Sequence, residues 1–151
     1  MRFLFISERV LLTLWVGGMW IIGYMVAPIL FSVLDDRQLA GFIAGHIFTA
    51  MSYTGLVCGG LLLIGSLYRN GPRNMTSYLL VAMLVLVAIG QFVLTPMMAE
   101  LKAQGLVEGS EAALQFGRLH GVSSILFMIT SLAGLVLVVG SAKNAGVENP
   151  S

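Results

Sequence analysis

Four apolar stretches dominate the pattern of hydrophobic and polar positions along the chain: Val10 to Phe31, Phe42 to Tyr68, Tyr78 to Pro96 and Val122 to Val139. Each approaches or exceeds the ~18–20 residues that a helix needs to cross ~30 Å of hydrocarbon. Lipid offers no partner to a backbone N–H or C=O, so each run must satisfy its own hydrogen bonds as a helix, and short links force neighbouring helices to pack antiparallel. The pattern therefore predicts an all-α integral membrane protein, a four-transmembrane-helix antiparallel bundle. One domain is expected over residues 1–142, followed at 143–151 by a polar cytoplasmic tail with Gly, Asn and Pro, expected to be disordered.

The polar positions mark the ends of these helices. The first should stop soon after Phe31, ahead of the Asp35, Asp36, Arg37 cluster, and the second should start near Leu39 and run to Tyr68, where Arg69, Asn70, Gly71 and Pro72 impose a turn. Asn74 is placed to cap the third helix, which continues through Glu100 and Lys102 until Gly105 ends it. Ser110 and Glu111 open the fourth helix two to three turns before its apolar run, so helices three and four should project beyond the outer membrane surface. The first run follows a leader containing Arg2, Glu8 and Arg9. Its 22 residues exceed the ~7–15 of a signal-peptide core, which predicts a retained span.

Composition narrows the class. With 58% hydrophobic and 10% charged residues and a mean hydropathy of +0.93, the chain falls outside the range of water-soluble domains. A net charge of +1 without a basic tract argues against nucleic-acid partners and leaves the lipid bilayer as the expected surrounding. Arg2, Arg9, Arg69, Arg73 and Lys143 fall on one side of the predicted topology and Arg37, Lys102 and Arg118 on the other, beside Asp35, Asp36, Glu100, Glu108 and Glu111. Basic residues accumulate in the cytoplasm, so this bias predicts a multi-pass protein of a bacterial-type inner membrane with both termini cytoplasmic. The lone Cys58, in the second run, reads as a small packing residue.

His46 and His120, the two histidines of the chain, are both expected near the outer, periplasmic leaflet at similar depth. His46 shares a helix face with Thr49 and Tyr53, and His120 with Ser123 and Ser124. Neutral imidazoles bind haem iron and copper, and ionisable groups within spans mark sites, so two helices could present these rings to one cofactor; a packing or interface role stands beside that reading. Met97 and Met98, on the same outer side, add thioethers that suit Cu(I), although methionine also fills lipid-facing surface. Pro28 and Pro96 each remove a donor and obstruct a carbonyl, those of Tyr24 and Phe92, which predicts either a kink or a polar pocket near the outer end. Gly17 and Gly18, with Gly41, Gly45, Gly55 and Gly59, form small faces for tight helix packing or for a homo-oligomer contact. Gln91 is expected to make an interhelical hydrogen bond, and together with Thr49, Thr54, Thr130 and Ser131 it could line a solute or lipid path.

A weak duplication relates the two hairpins: Pro28 precedes His46 by 18 residues and Pro96 precedes His120 by 24, a repeat of the parallel rather than the inverted kind. No Walker loop, nucleophile elbow, His/Cys/Glu metal triad or intramembrane carboxylate occurs, so neither an autonomous hydrolase nor a carboxylate-driven pump is expected, and no catalytic residue is assigned.

The segments Leu14, Trp15, Val16, Gly17, Gly18 with Pro28, Ile29, Leu30 and Phe31 after them, then Ala40, Gly41 and Gly45, Pro96, and Phe116 through Ser124 carry a family likeness. Over nearly the whole chain they resemble the transmembrane protein 205-like domain of unknown function (DUF4149 type), which looks related to the CopD-like group. That group includes copper-resistance components and the haem-binding HemJ type of protoporphyrinogen oxidase. The resemblance implies haem b or copper handling. It does not imply protoporphyrinogen oxidation, because HemJ-type proteins place a histidine shortly after the first proline, where this chain has Ile29, Leu30, Phe31, Ser32, Val33 and Leu34. The expected function is that of a small binding or accessory membrane protein, one that supports another membrane protein or its own oligomer, with haem b or copper binding at His46 and His120 as the sharper alternative and small-solute or lipid transport as a third.

Overall fold

The computed structural model describes residues 2–107 and 109–147, which are helical apart from three links and contain no strand. Met1, Glu108 and residues 148–151, the end of the expected tail, lie outside the described residues, as do the side chains of 2–6, 70 and 142–147. The elements are α1 (Arg2–Ile21), a π-helical turn (Ile22–Val26), α2 (Ala27–Val33), α3 (Arg37–Asn70), α4 (Met75–Ile89), a second π-helical turn (Gly90–Leu94), α5 (Thr95–Ala103) and α6 (Glu111–Val147). Since the chain stays helical through both π turns, these make four continuous spans: Ser7–Val33, Arg37–Arg69, Met75–Ala103 and Glu111–Ser141.

Local chemistry sets the ends. The Asp36 carboxylate accepts from the Gln38 and Leu39 amides at 2.8 and 3.1 Å, which starts α3 two residues before the first apolar position. Gly71, at φ +72°, ends α3 in a conformation that a side chain would disfavour, and Asn74 then caps α4 by accepting from the Ser77 amide. The same Asn74 donates to Ser77 Oγ, and Ser77 Oγ meets Ser66 Oγ at 2.9 Å, so the α3–α4 hairpin is locked by a buried polar cluster. Ser110 Oγ accepts from the Ala113 amide at the start of α6. That helix passes Lys143 and reaches Val147, beyond the point where its polar tail was expected to begin.

Both prolines are accommodated in the same way. The bulky Pro28 ring would collide with the carbonyl four residues back, and the chain widens ahead of it, so that the Ala27 amide donates to the Ile22 carbonyl. Ahead of Pro96 the Thr95 amide donates to the Gly90 carbonyl, which also accepts from Thr95 Oγ1 at 3.0 Å. Each π turn ends two residues before its proline, and His46 and His120 each lie nine residues into the helix that returns. The six extra residues between proline and histidine in the second hairpin therefore fall in α5 and its link.

The α1 span packs against α3 and α6, and the α4 span packs against the same two, so α3 and α6 stand diagonally across the bundle. At the centre is Trp15, 1% exposed, among Leu12, Val16, Met19, Met51, Cys58 and Met83. Its indole lies close against the bare backbone of Gly55 and Gly59, where a Cβ at Gly59 would stand 2.6 Å from the ring and 2.8 Å from Leu84. Gly134 of α6 gives Val16 and Met83 the same close approach. Glu8 and Arg69 pair at 2.9 Å across the inner ends of spans one and two. Gly59→Val should therefore lower the stability of the detergent-solubilised protein by roughly 1–3 kcal/mol through overpacking. Gly45→Val, at a position with nothing within 4 Å of a Cβ, should leave the melting temperature unchanged.

Candidate functional site

The outer half of the bundle carries the residues singled out from the sequence. His46 is exposed on α3, its ring 4.4 Å from that of Phe42. Its Nδ1 lies 2.9 Å from the Phe42 carbonyl oxygen. A carbonyl can only accept, so Nδ1 carries a hydrogen, and in the neutral ring Nε2 is the nitrogen with the free lone pair. His120 is exposed on α6, with its ring parallel to Phe116 at 6.1 Å, and the Lys102 ammonium sits 5.4 Å from the centre of that same phenyl ring. The two imidazoles stand on the diagonal helices α3 and α6. Measured from the Phe48–Phe127 edge-to-face contact that joins those helices, His46 lies about 3 Å and His120 about 10 Å toward the outer end by helical rise. Among the described residues no three His, Cys, Asp or Glu side chains cluster as metal ligands.

The remaining candidates disperse in a similar way. Met97 is exposed and Met98 half-buried on α5, just past the second π turn. Tyr53 is exposed and faces Phe92 edge-on at 6.2 Å. Thr49 and Ser123 are half-buried and make no side-chain hydrogen bond among the described residues, whereas Ser124 Oγ and Thr54 Oγ1 turn back to the carbonyls of His120 and Ala50 in their own helices. Gly17 is open, Gly18 abuts the Met51 sulfur, and Gly41 and Gly45 face no neighbouring span closely, although Gly41 lies near the Phe31 ring.

Gln91 is buried in the second π turn at 9% exposure, and its amide forms no hydrogen bond among the described residues. The interhelical bond expected of it is not made among the described residues, and since no buried side-chain nitrogen or oxygen there lacks a partner, the amide reaches the bundle surface. A polar clamp that the sequence reading missed occurs instead at the first π turn. Ser131 Oγ donates to the Met128 carbonyl at 2.9 Å, so its 2.8 Å contact with Tyr24 must be donated by the phenol. Trp20 Nε1 donates to the Ser131 carbonyl at 3.3 Å, and the Trp20 and Tyr24 rings lie 4.8 Å apart. The signal was an aromatic pair at i, i+4 in one span and a hydroxyl in another, but nothing in the linear order joins them. Where a polar pocket was conceivable beside Pro28, the structure packs Gly23 against Phe127.

A family model described as "Domain of unknown function (DUF4149)" matches residues 10–106. The chain belongs to that family. The DUF4149 match takes in the first three spans with both prolines and His46, and stops before α6, which carries His120 and Ser131. No curated protein and no solved structure matches the chain.

Two substitutions separate packing from function here. Tyr24→Phe removes one interhelical hydrogen bond and should cost about 0.6 kcal/mol, at most about 1.7, in detergent unfolding. Gln91→Leu removes an amide that makes no hydrogen bond among the described residues and reaches the bundle surface, so it should leave stability equal or raised.

Proposed function

We propose that this DUF4149 protein is a small binding or accessory protein of a bacterial-type inner membrane, with both termini cytoplasmic, and that it engages another membrane protein through the outer half of α3. One observation carries the reading. The two Gly-x-x-x-Gly faces of α3 are used differently: Gly55 and Gly59 are filled by Trp15, whereas Gly45 is open on a face with Phe42, His46 and Ala50, all exposed. Small residues flanked by an aromatic ring and an imidazole suit close helix–helix docking, with His46 Nε2 available to a hydrogen-bond donor on the partner. The basic-residue bias between the two ends of the bundle supports the orientation.

Photo-cross-linkers placed at Ala50 and, as a control, at the exposed Val85 on α4 test this in cells. A discrete protein adduct is expected from position 50 and none from position 85. Adducts to lipid alone from both positions would rule the docking face out, and an adduct between two copies would replace the partner by a homo-oligomer. A visible spectrum and a metal analysis of the purified protein should show neither a Soret band reducible by dithionite nor stoichiometric copper. Either signal would move the reading to haem or copper handling at His46 and His120.

A further inference from the structure

We propose that the cleft between the first and fourth spans is a specific site for one acyl chain of an anionic phospholipid of the inner leaflet, with the lipid phosphate on Arg9. A hollow of about 420 Å³ runs between α1 and α6, lined by Thr13, Val16, Gly17, Trp20, Leu135 and Val138. At Thr13 it meets a second hollow that ends at Arg9. Arg9, Thr13, Gly17 and Trp20 follow one another at helical spacing on a single face of α1, and the two hollows share Thr13, the second being lined by α1 residues alone. Gly17 supplies its depth, since nothing lies within 4 Å of where its Cβ would be.

Length, polarity and charge select the occupant. From Arg9 to Trp20 the helix rises about 16 Å, close to half of the ~30 Å hydrocarbon thickness, which is the depth of one leaflet. The far end is closed by Trp20, whose indole is held by the Ser131 carbonyl. The near end lies at the level of the Glu8–Arg69 pair, and Arg69 directly follows the fully exposed Tyr68, at the inner end of the bundle. Arg9 itself is exposed and forms no ion pair among the described residues. A guanidinium at headgroup level above an apolar groove one leaflet deep matches a lipid with a negatively charged headgroup, and neither a free anion nor a peptide uses both parts.

Trp20 reports on the site. In phosphatidylcholine nanodiscs, small mole fractions of phosphatidylglycerol with brominated acyl chains should quench tryptophan fluorescence saturably. Unlabelled phosphatidylglycerol should compete, and millimolar inorganic phosphate should not. Brominated phosphatidylcholine should quench only in proportion to its bulk fraction. Arg9→Gln should weaken the preference for the anionic lipid by about fivefold. Gly17→Leu should remove the saturable component by filling the groove, and Arg73→Gln, a charge loss elsewhere on the same side, should change neither. Quenching that follows the bulk fraction for both headgroups, competition by inorganic phosphate, or an Arg9→Gln variant with unchanged preference would each overturn the assignment.

Discussion

The approach of the Trp15 indole to the naked backbone of Gly55 and Gly59 is the contact on which the bundle depends. Between helices already in lipid the hydrophobic effect supplies no attraction, since hydrocarbon tails are as apolar as leucine, and association rests on van der Waals packing and a few hydrogen bonds. Dispersion falls steeply with distance, so helices gain most where one presents a large flat side chain and the other presents none. Trp15 meets two such positions on α3, and Gly134 repeats the device on α6 with Val16 and Met83. Only 22–28% of each span's most apolar window is buried, so these few close approaches, with the Tyr24–Ser131 clamp and the Ser66–Asn74–Ser77 cluster, hold most of the tertiary structure.

The two hairpins solve one problem twice. A proline inside a span leaves a carbonyl without its donor where no water can replace it, and both hairpins answer with a π turn ending two residues earlier. What surrounds the turn differs. In the first hairpin, aromatic rings and the Ser131 hydroxyl close around it, whereas the second holds Gln91, whose amide reaches the bundle surface. The two turns thus differ in their polar surroundings.

Much of the fold was legible because its causes are local. The four spans follow from run length, and Asp36, Gly71, Asn74, Gly105 and Ser110 act at the ends where turn chemistry places them. The site was less legible because it depends on how each helix is rotated. Nothing in the linear spacing tells Gly55–Gly59, turned inward onto Trp15, from Gly41–Gly45, left uncovered. His46 and His120 lie equally far from the starts of α3 and α6, and measured from the Phe48–Phe127 contact α6 begins farther along the bundle than α3. The proline positions announced a disturbance without its form, since a kink, a helix end and a π turn all relieve the same clash.

The π turns also bear on how the chain tolerates change in length. Each accommodates one residue more than a regular helix would, so beyond Val26 and beyond Leu94 the side chains are rotated by about 100° from where uniform winding would carry them. Losing a single residue within either turn would restore ordinary winding and swing everything between that turn and the outer link onto a different flank. Two one-residue widenings, one per hairpin, thus set the azimuth of the half nearest the α2–α3 and α5–α6 links independently of the other half.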